Sequence, residues 1–204
     1  MGGRGASAGT GTGGSNSGNS GNSEVEKALG KQGNPFSLNE AMAGANTKFA
    51  TRQWEYTHNC QRCVWAVEAR RRGYDVEAMP RTKDNEYAKS NEALPKSFVN
   101  VSTTPVQLDW HWGWVDRVSA TEVKADMLKH GVGARGMLVM QNSKYGHVCN
   151  WEVTGPNKVV IYDGQSNRTH SMTDLKKRFF TFAVGRMDDK QFAPLIKDFV
   201  KPRT

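Results

Sequence analysis

Three residues in this chain, Cys60, His147 and Asp163, have the types that together make a covalent catalyst. A thiolate is a nucleophile, an imidazole can take and return its proton, and a carboxylate can fix the imidazole and stabilise its charged form. Cys60 opens a helical pattern in which Cys60, Cys63, Val64 and Val67 fall at i, i+3, i+4 and i+7. Asn59 reads as the N-cap, its side chain accepting an orphan N–H of the first turn. Gly73 reads as the stop, and Arg70–Arg72 before it as a solvated face suited to the negative end of the helix dipole. Cys60 is thus expected in the first turn, facing the core, where free N–H groups and the positive dipole end favour the thiolate. The plain alternative is a small buried thiol that fills space.

His147 begins an alternating segment, His147–Val153, and Asp163 ends the next one, Lys158–Asp163, with a turn over Thr154–Asn157 between them. An odd loop sets Trp151 opposite Val159, Cys149 opposite Ile161 and His147 opposite Asp163, with facing Cβ atoms roughly 5 Å apart. An even loop shifts the pairing by one residue, and the apolar matching favours the odd one. In the resulting scheme Cys60 attacks a carbonyl carbon, His147 takes the thiol proton and later protonates the leaving nitrogen, and Asp163 holds the imidazole. The backbone N–H of Cys60 would stabilise the oxyanion together with an upstream amide side chain, Gln53 first and Asn59 second.

The elements that must position these groups read as follows. Residues 1–23 hold nine glycines with serine and asparagine, one charge (Arg4) and no large apolar residue, which predicts a disordered arm. Residues 24–44 read as a short helical linker, with a capping box at Ser37 and Glu40. Residues 45–204 are the expected domain. Within it, residues 45–58 approach the cysteine helix, Tyr74–Pro80 is a short strand ended by proline, and residues 81–118 carry little pattern. Trp110, Trp112 and Trp114 recur at period two there, a core ridge on one reading and a substrate wall on the other. Ser119 or Thr121 opens a helix that Gly131 ends, and Met137–Met140 is an interior strand. Thr173 is expected to cap a helix over Asp174–Phe179, Phe180–Gly185 to be a strand, and Gln191–Val200 a last amphipathic helix. Helices first, then strands pairing with near neighbours, is an α+β order.

A net charge of +8 permits acidic partners, but no nucleic-acid recognition motif accompanies it. No apolar run is long enough for a membrane span or a signal peptide, so a protein in the cytoplasm, attached to a virion or delivered as an effector is expected. Three cysteines do not make a disulfide framework. Cys60-x-x-Cys63 with His147-x-Cys149 could hold zinc, but H-x-C on a strand is a poor second knuckle, and a thioredoxin-like dithiol lacks its βαβ setting. No metal or cofactor is called for. His58, His111, His130 and His170 have no companions at useful spacing.

Asn59-Cys60-Gln61-Arg62-Cys63, then Glu68 to Val76, Gly146 to Asn150 and Tyr162-Asp163-Gly164-Gln165 resemble the papain-fold toxin domain of bacterial polymorphic toxins, whose relatives occur as tails on phage minor head proteins. The resemblance covers roughly residues 45–190, and the Arg-Arg-Arg-Gly-Tyr-Asp-Val run is nearer the phage branch. It implies a papain-like fold, a Cys60–His147–Asp163 triad with Gln165 in support, and action on peptide or side-chain amides of a protein substrate, as a protease or a deamidase. It also implies an immunity protein or phage head proteins as partners. In the papain signature the nucleophile is the second of two such cysteines and an aromatic follows it. Here Val64 separates Cys63 from Trp65, so Cys63 stays the alternative nucleophile. A catalytically silent docking module of a phage head would share every motif.

Overall fold

The computed structural model describes residues 19–82 and 119–203. Helices α1 (Asn19–Leu29), α2 (Leu38–Ala45), α3 (Trp54–Thr57) and α4 (Cys60–Arg71) precede β1 (Val76–Ala78). Then come α5 (Ala120–Leu128), β2 (Arg135–Gln141), β3 (Gly146–Gly155), β4 (Lys158–Asp163), β5 (Arg168–His170), α6 (Met172–Arg178), β6 (Thr181–Arg186) and β7 (Val200–Pro202). The class is α+β, as expected: the cysteine-bearing helix comes before an antiparallel five-stranded sheet of order β5-β4-β3-β2-β6, and β1 pairs with β7 separately. Among the described residues no helix is long and apolar enough to cross a membrane. Trp110, Trp112 and Trp114 lie outside the described residues, as does His111.

Both faces of the sheet are covered, which explains the unbroken apolar run in β2. Met137 and Val139 join the core under α1, α2 and α4, while Leu138 and Met140 join the second core under α5 and α6. Ala28 and Leu29 of α1 and Ala41, Met42 and Ala45 of α2 are buried in the first core, so the stretch expected as a linker packs with the sheet. The first helix also starts at Asn19, inside the stretch expected as arm. Ser37 and Glu40 form the expected capping box, and Ser119 and Glu122 form another.

Three other local readings are corrected. Ser171, not Thr173, caps α6, because its hydroxyl sits where the Asp174 N–H points (3.1 Å). The last amphipathic helix is only a 3₁₀ turn, Pro194–Asp198, after which Val200–Pro202 leaves to pair with β1. The β3–β4 register pairs Trp151 with Ile161 and Val153 with Val159, with a bulge before Gly155. The pairing is displaced by two residues from the expected one, and a two-residue slip keeps every side chain on its face.

Helix α4 departs most from its sequence reading. It is buried on almost every side, from Arg62 through Arg70, so its charged residues need partners rather than solvent. The Arg70–Arg72 run is therefore a clamp and not a solvated face. Arg70 pairs with Asp75 and lies 4.0 Å from the Phe36 ring centre, and Arg71 holds both oxygens of Glu152 on β3 (2.9 and 3.1 Å). Arg72 donates to Glu68 (2.7 Å) and to the carbonyls of Met187 and Lys190. Glu68, fully buried, also receives Arg135 of β2 (3.1 Å). Asn150 of β3 donates to the Val64 carbonyl at 3.1 Å. Gly73 ends the helix at φ +98°, with no room for a Cβ against the Gly33 carbonyl.

Glu68→Gln should test this clamp. It leaves two guanidinium groups facing one neutral amide and should destabilise the protein by about 3 kcal/mol. A urea midpoint shift at unchanged slope would show it, and an unmoved midpoint would show that the bridges contribute nothing net.

Candidate active site

Cys60 is the first residue of α4, and the clamps just described fix its height against the sheet. Asn59 precedes it but makes no side-chain cap. Its carboxamide is used inward: Oδ1 accepts from Asn46 (3.2 Å), Gln165 (3.3 Å) and the Cys63 thiol (3.3 Å), and Nδ2 donates to the Met79 carbonyl (3.2 Å). Asn59 is thus a buried post joining α2, α4, the end of β1 and the segment after β4, with its amide donors occupied. Gln53 is exposed, hydrogen-bonds the Thr51 hydroxyl (3.2 Å) and does not line the cavity at Cys60. Neither upstream amide is presented for an oxyanion. The backbone N–H of Cys60 is at the first helical position, where such groups have no partner within the helix.

His147 and Asp163 meet, though not as directly opposed residues. The register sets them diagonally on the same face, and the long imidazole closes the gap, Nε2 lying 3.3 Å from Asp163 Oδ2. With Nε2 on the carboxylate, Nδ1 is the ring nitrogen left for Cys60, which lines the same cavity. Asp163 receives further support, the Gln165 N–H at 2.8 Å and the Ser166 hydroxyl at 2.7 Å, while His170 Nε2 stands 3.8 Å away. His170 sits in β5, opposite Ile161 and so on the face of Asp163, which gives it the companion its sequence position did not suggest. Sequence reading also missed Ser166 and Asn46. Asp163 and Ser166, three apart across a turn, were the available signal for the first, and nothing local marks the second.

The charges follow from these contacts. Burial disfavours an ionised Cys60, but the hydrogen bond and charge of His147 and the Val148 N–H outweigh it and lower the thiol below its ordinary value. Burial likewise opposes a charged His147, yet the Asp163 and Cys60 hydrogen bonds raise it to about 10. Burial would raise Asp163, and the two imidazoles and Ser166 instead hold it well below the usual carboxylate range. At neutral pH His147 is therefore protonated and Asp163 ionised, and the Cys60 thiol ionises more readily than an ordinary cysteine. Cys63 and Cys149 are the reverse case: both are fully buried, and burial pushes both thiols far up. Cys63 donates to Asn59, and Cys149 packs in the second core.

Cys60, His147 and Asp163 all line one cavity of about 1040 Å³, together with Gln165, Ser166 and His170. Of the other histidines, His58 also borders it and is stacked on Trp54, while His130 stacks on Trp151 of the second core. Among the described residues no group of three or more His, Cys, Asp or Glu is placed to hold a metal ion.

A family model described as papain fold toxin 1, glutamine deamidase, matches residues 58–168, more than half of the chain. The chain belongs to that family. No curated protein and no solved structure matches it. The papain-fold toxin match contains Cys60, Cys63, Asn59, His147, Asp163 and Gln165, and begins after Gln53. Membership places the chain among cysteine hydrolases and deamidases that act on amides, and the described helix-then-sheet order fits a papain-like fold.

The pH dependence of Cys60 alkylation checks the ion pair. Because the thiol is lowered, the rate of Cys60 modification by iodoacetamide should level off at a lower pH than that of an ordinary cysteine, with Cys63 and Cys149 untouched. His147→Ala removes the opposing charge, so burial then raises the thiol, and the rate at pH 7 should fall by about tenfold or more. An unchanged rate would mean that His147 does not ionise the sulfur.

Proposed function

We propose that the chain is a protein glutamine deamidase in which Cys60 is the nucleophile, His147 the proton carrier and Asp163 the group that orients it. The observation that supports this most is the single cavity onto which Cys60, His147 and Asp163 all open, with His147 held by Asp163 at 3.3 Å.

In this reading the Cys60 thiolate attacks the Cδ carbon of a glutamine side chain, and the carbonyl oxygen becomes an oxyanion facing the first N–H groups of α4. His147, already an imidazolium, gives its proton to the amide nitrogen, the C–N bond breaks and ammonia leaves a thioester on Cys60. Water then attacks the thioester carbon while neutral His147 takes its proton. The C–S bond breaks, glutamate is released, and the thiolate–imidazolium pair is restored. Asp163 stays ionised throughout. Its role is to hold the ring by Nε2 so that Nδ1 serves both sulfur and leaving nitrogen. Gln165 acts through its main chain on Asp163 and through its carboxamide on Asn59, as a positioning residue. Cys63, donating its proton to Asn59 and raised by burial, is left a scaffold thiol.

Ammonia release and glutamine-to-glutamate conversion in a glutamine-containing peptide or acceptor protein measure this. Cys60→Ala should remove turnover. Asp163→Asn should lower kcat by about 10³-fold or more, because the ring loses its fixed tautomer. Peptide-bond cleavage in place of ammonia release would make the protein a protease. Absence of both, with Cys60 alkylated as above, would leave it a docking module on a papain-like fold.

A further inference from the structure

The arginines of this protein are sorted by place. Every described arginine outside the Cys60 cavity is ion-paired: Arg70 and Arg203 with Asp75, Arg71 with Glu152, Arg72 and Arg135 with Glu68, and Arg186 with Asp188. Among the described residues the cavity is lined by Arg52, Arg62, Arg81, Arg168, Arg178 and Lys144, against one carboxylate, Asp163, whose oxygens are already taken. Arg52, Arg62, Arg168, Arg178 and Lys144 have no carboxylate partner among the described residues.

These cations do not share one helix face, as a solvated charge run would. Arg62 stands on α4, Arg168 on β5, Arg178 at the end of α6, Lys144 in the β2–β3 turn, and Arg52 and Arg81 in the segments before α4 and after β1. Folding has brought like charges from separate segments around the thiol, which costs stability through mutual repulsion. Arg62 shows the cost most directly. Only 5 % of it is exposed, its Nε is buried with no hydrogen-bond partner among the described residues, and burial together with the charge of Arg81 lowers the guanidinium from its ordinary value. A buried donor left unmatched at the wall of a binding cavity awaits an acceptor from outside.

We propose that this ring of cations selects a protein segment in which the target glutamine is flanked by aspartate and glutamate side chains, one carboxylate pairing with Arg62 and others with the Arg168–Arg178 side. The inference rests on the deamidase reading for the identity of the central residue, and on the ring alone for the flanking charge. The ring encloses the amide-cleaving thiol rather than running as a stripe past it, which favours an acidic protein segment over a nucleic-acid backbone. A cavity lined by one sign of charge also concentrates the field, so association should be fast and sensitive to salt.

The test uses two readouts on the full chain. Binding of fluorescein-labelled peptides to Cys60→Ala protein is measured by anisotropy, for a glutamine flanked by glutamates, by serines or by lysines. Ammonia release from the same peptides by unaltered protein is measured in parallel. The glutamate-flanked peptide should bind roughly tenfold or more tightly than the serine-flanked one, and the difference should shrink as salt is raised. R168E/R178E should abolish the preference, and R168K/R178K should keep most of it. These two positions are chosen because Arg62 is buried and its replacement could unfold the helix mouth. Equal binding of the three peptides, or a preference that survives R168E/R178E, overturns the inference even if all are deamidated. Preferential binding without ammonia release would sustain the charge selection and sink the deamidase reading instead. Tighter binding of a single-stranded oligonucleotide than of the acidic peptide would overturn the inference in favour of nucleic acid.

Discussion

The carboxylate of Asp163 is ionised in a place nearly stripped of water, and the rest of the site is arranged around that fact. An unpaired buried charge would cost several kcal/mol and would neutralise instead. Here a backbone N–H, a serine hydroxyl and two imidazoles stand within reach of its oxygens. Its charge is what makes a protonated His147 tolerable in the same low-dielectric corner, and the protonated His147 is what lowers the Cys60 thiol despite its burial. Each member of the series is stabilised by the next, so no single group carries its own ionisation.

Such a chain of charges works only if the pieces are held at fixed separations, and they come from distant parts of the sequence. The fold solves this by burying α4 and locking it with ions instead of leaving one face to water. Glu68 ties α4 to β2, Glu152 ties it to β3, and Asn150 reaches its backbone. The basic residues then divide into two populations. Arg70, Arg71, Arg72 and Arg135 are neutralised and structural, while Arg52, Arg62, Arg168, Arg178 and Lys144 around the cavity have no carboxylate partner among the described residues.

Much of this was legible in the sequence. The cysteine at a helix start, the glycine stop, the capping box at Ser37 and Glu40 and the hairpin all rest on local rules. The face shared by His147 and Asp163 was also readable, because parity along a strand survives a two-residue slip even though the bulge before Gly155 spoiled the exact pairing. What failed depended on tertiary context. Arg70–Arg72 reads as a solvated run unless one knows that β3 and the Met187–Lys190 segment cover it. Asn59 has an N-cap's sequence position, yet three buried donors compete for its side chain and win. The 3₁₀ turn at Pro194 ends where β1 offers an open edge, which no pattern within residues 191–200 could reveal. Asn46 matters through partners far away in sequence, Asn59 and the Gln165 carbonyl.

Gly164 follows Asp163 directly, and a Cβ built there would collide with the Val67 side chain and come within 3.3 Å of Ala45 Cβ and 3.4 Å of the Cys63 carbonyl. The chain at this point therefore lies flush against α4, with only a hydrogen atom between them. A methyl group in its place would have to displace the Val67 side chain, so the segment after Asp163 and the helix that opens at Cys60 could not keep this close approach.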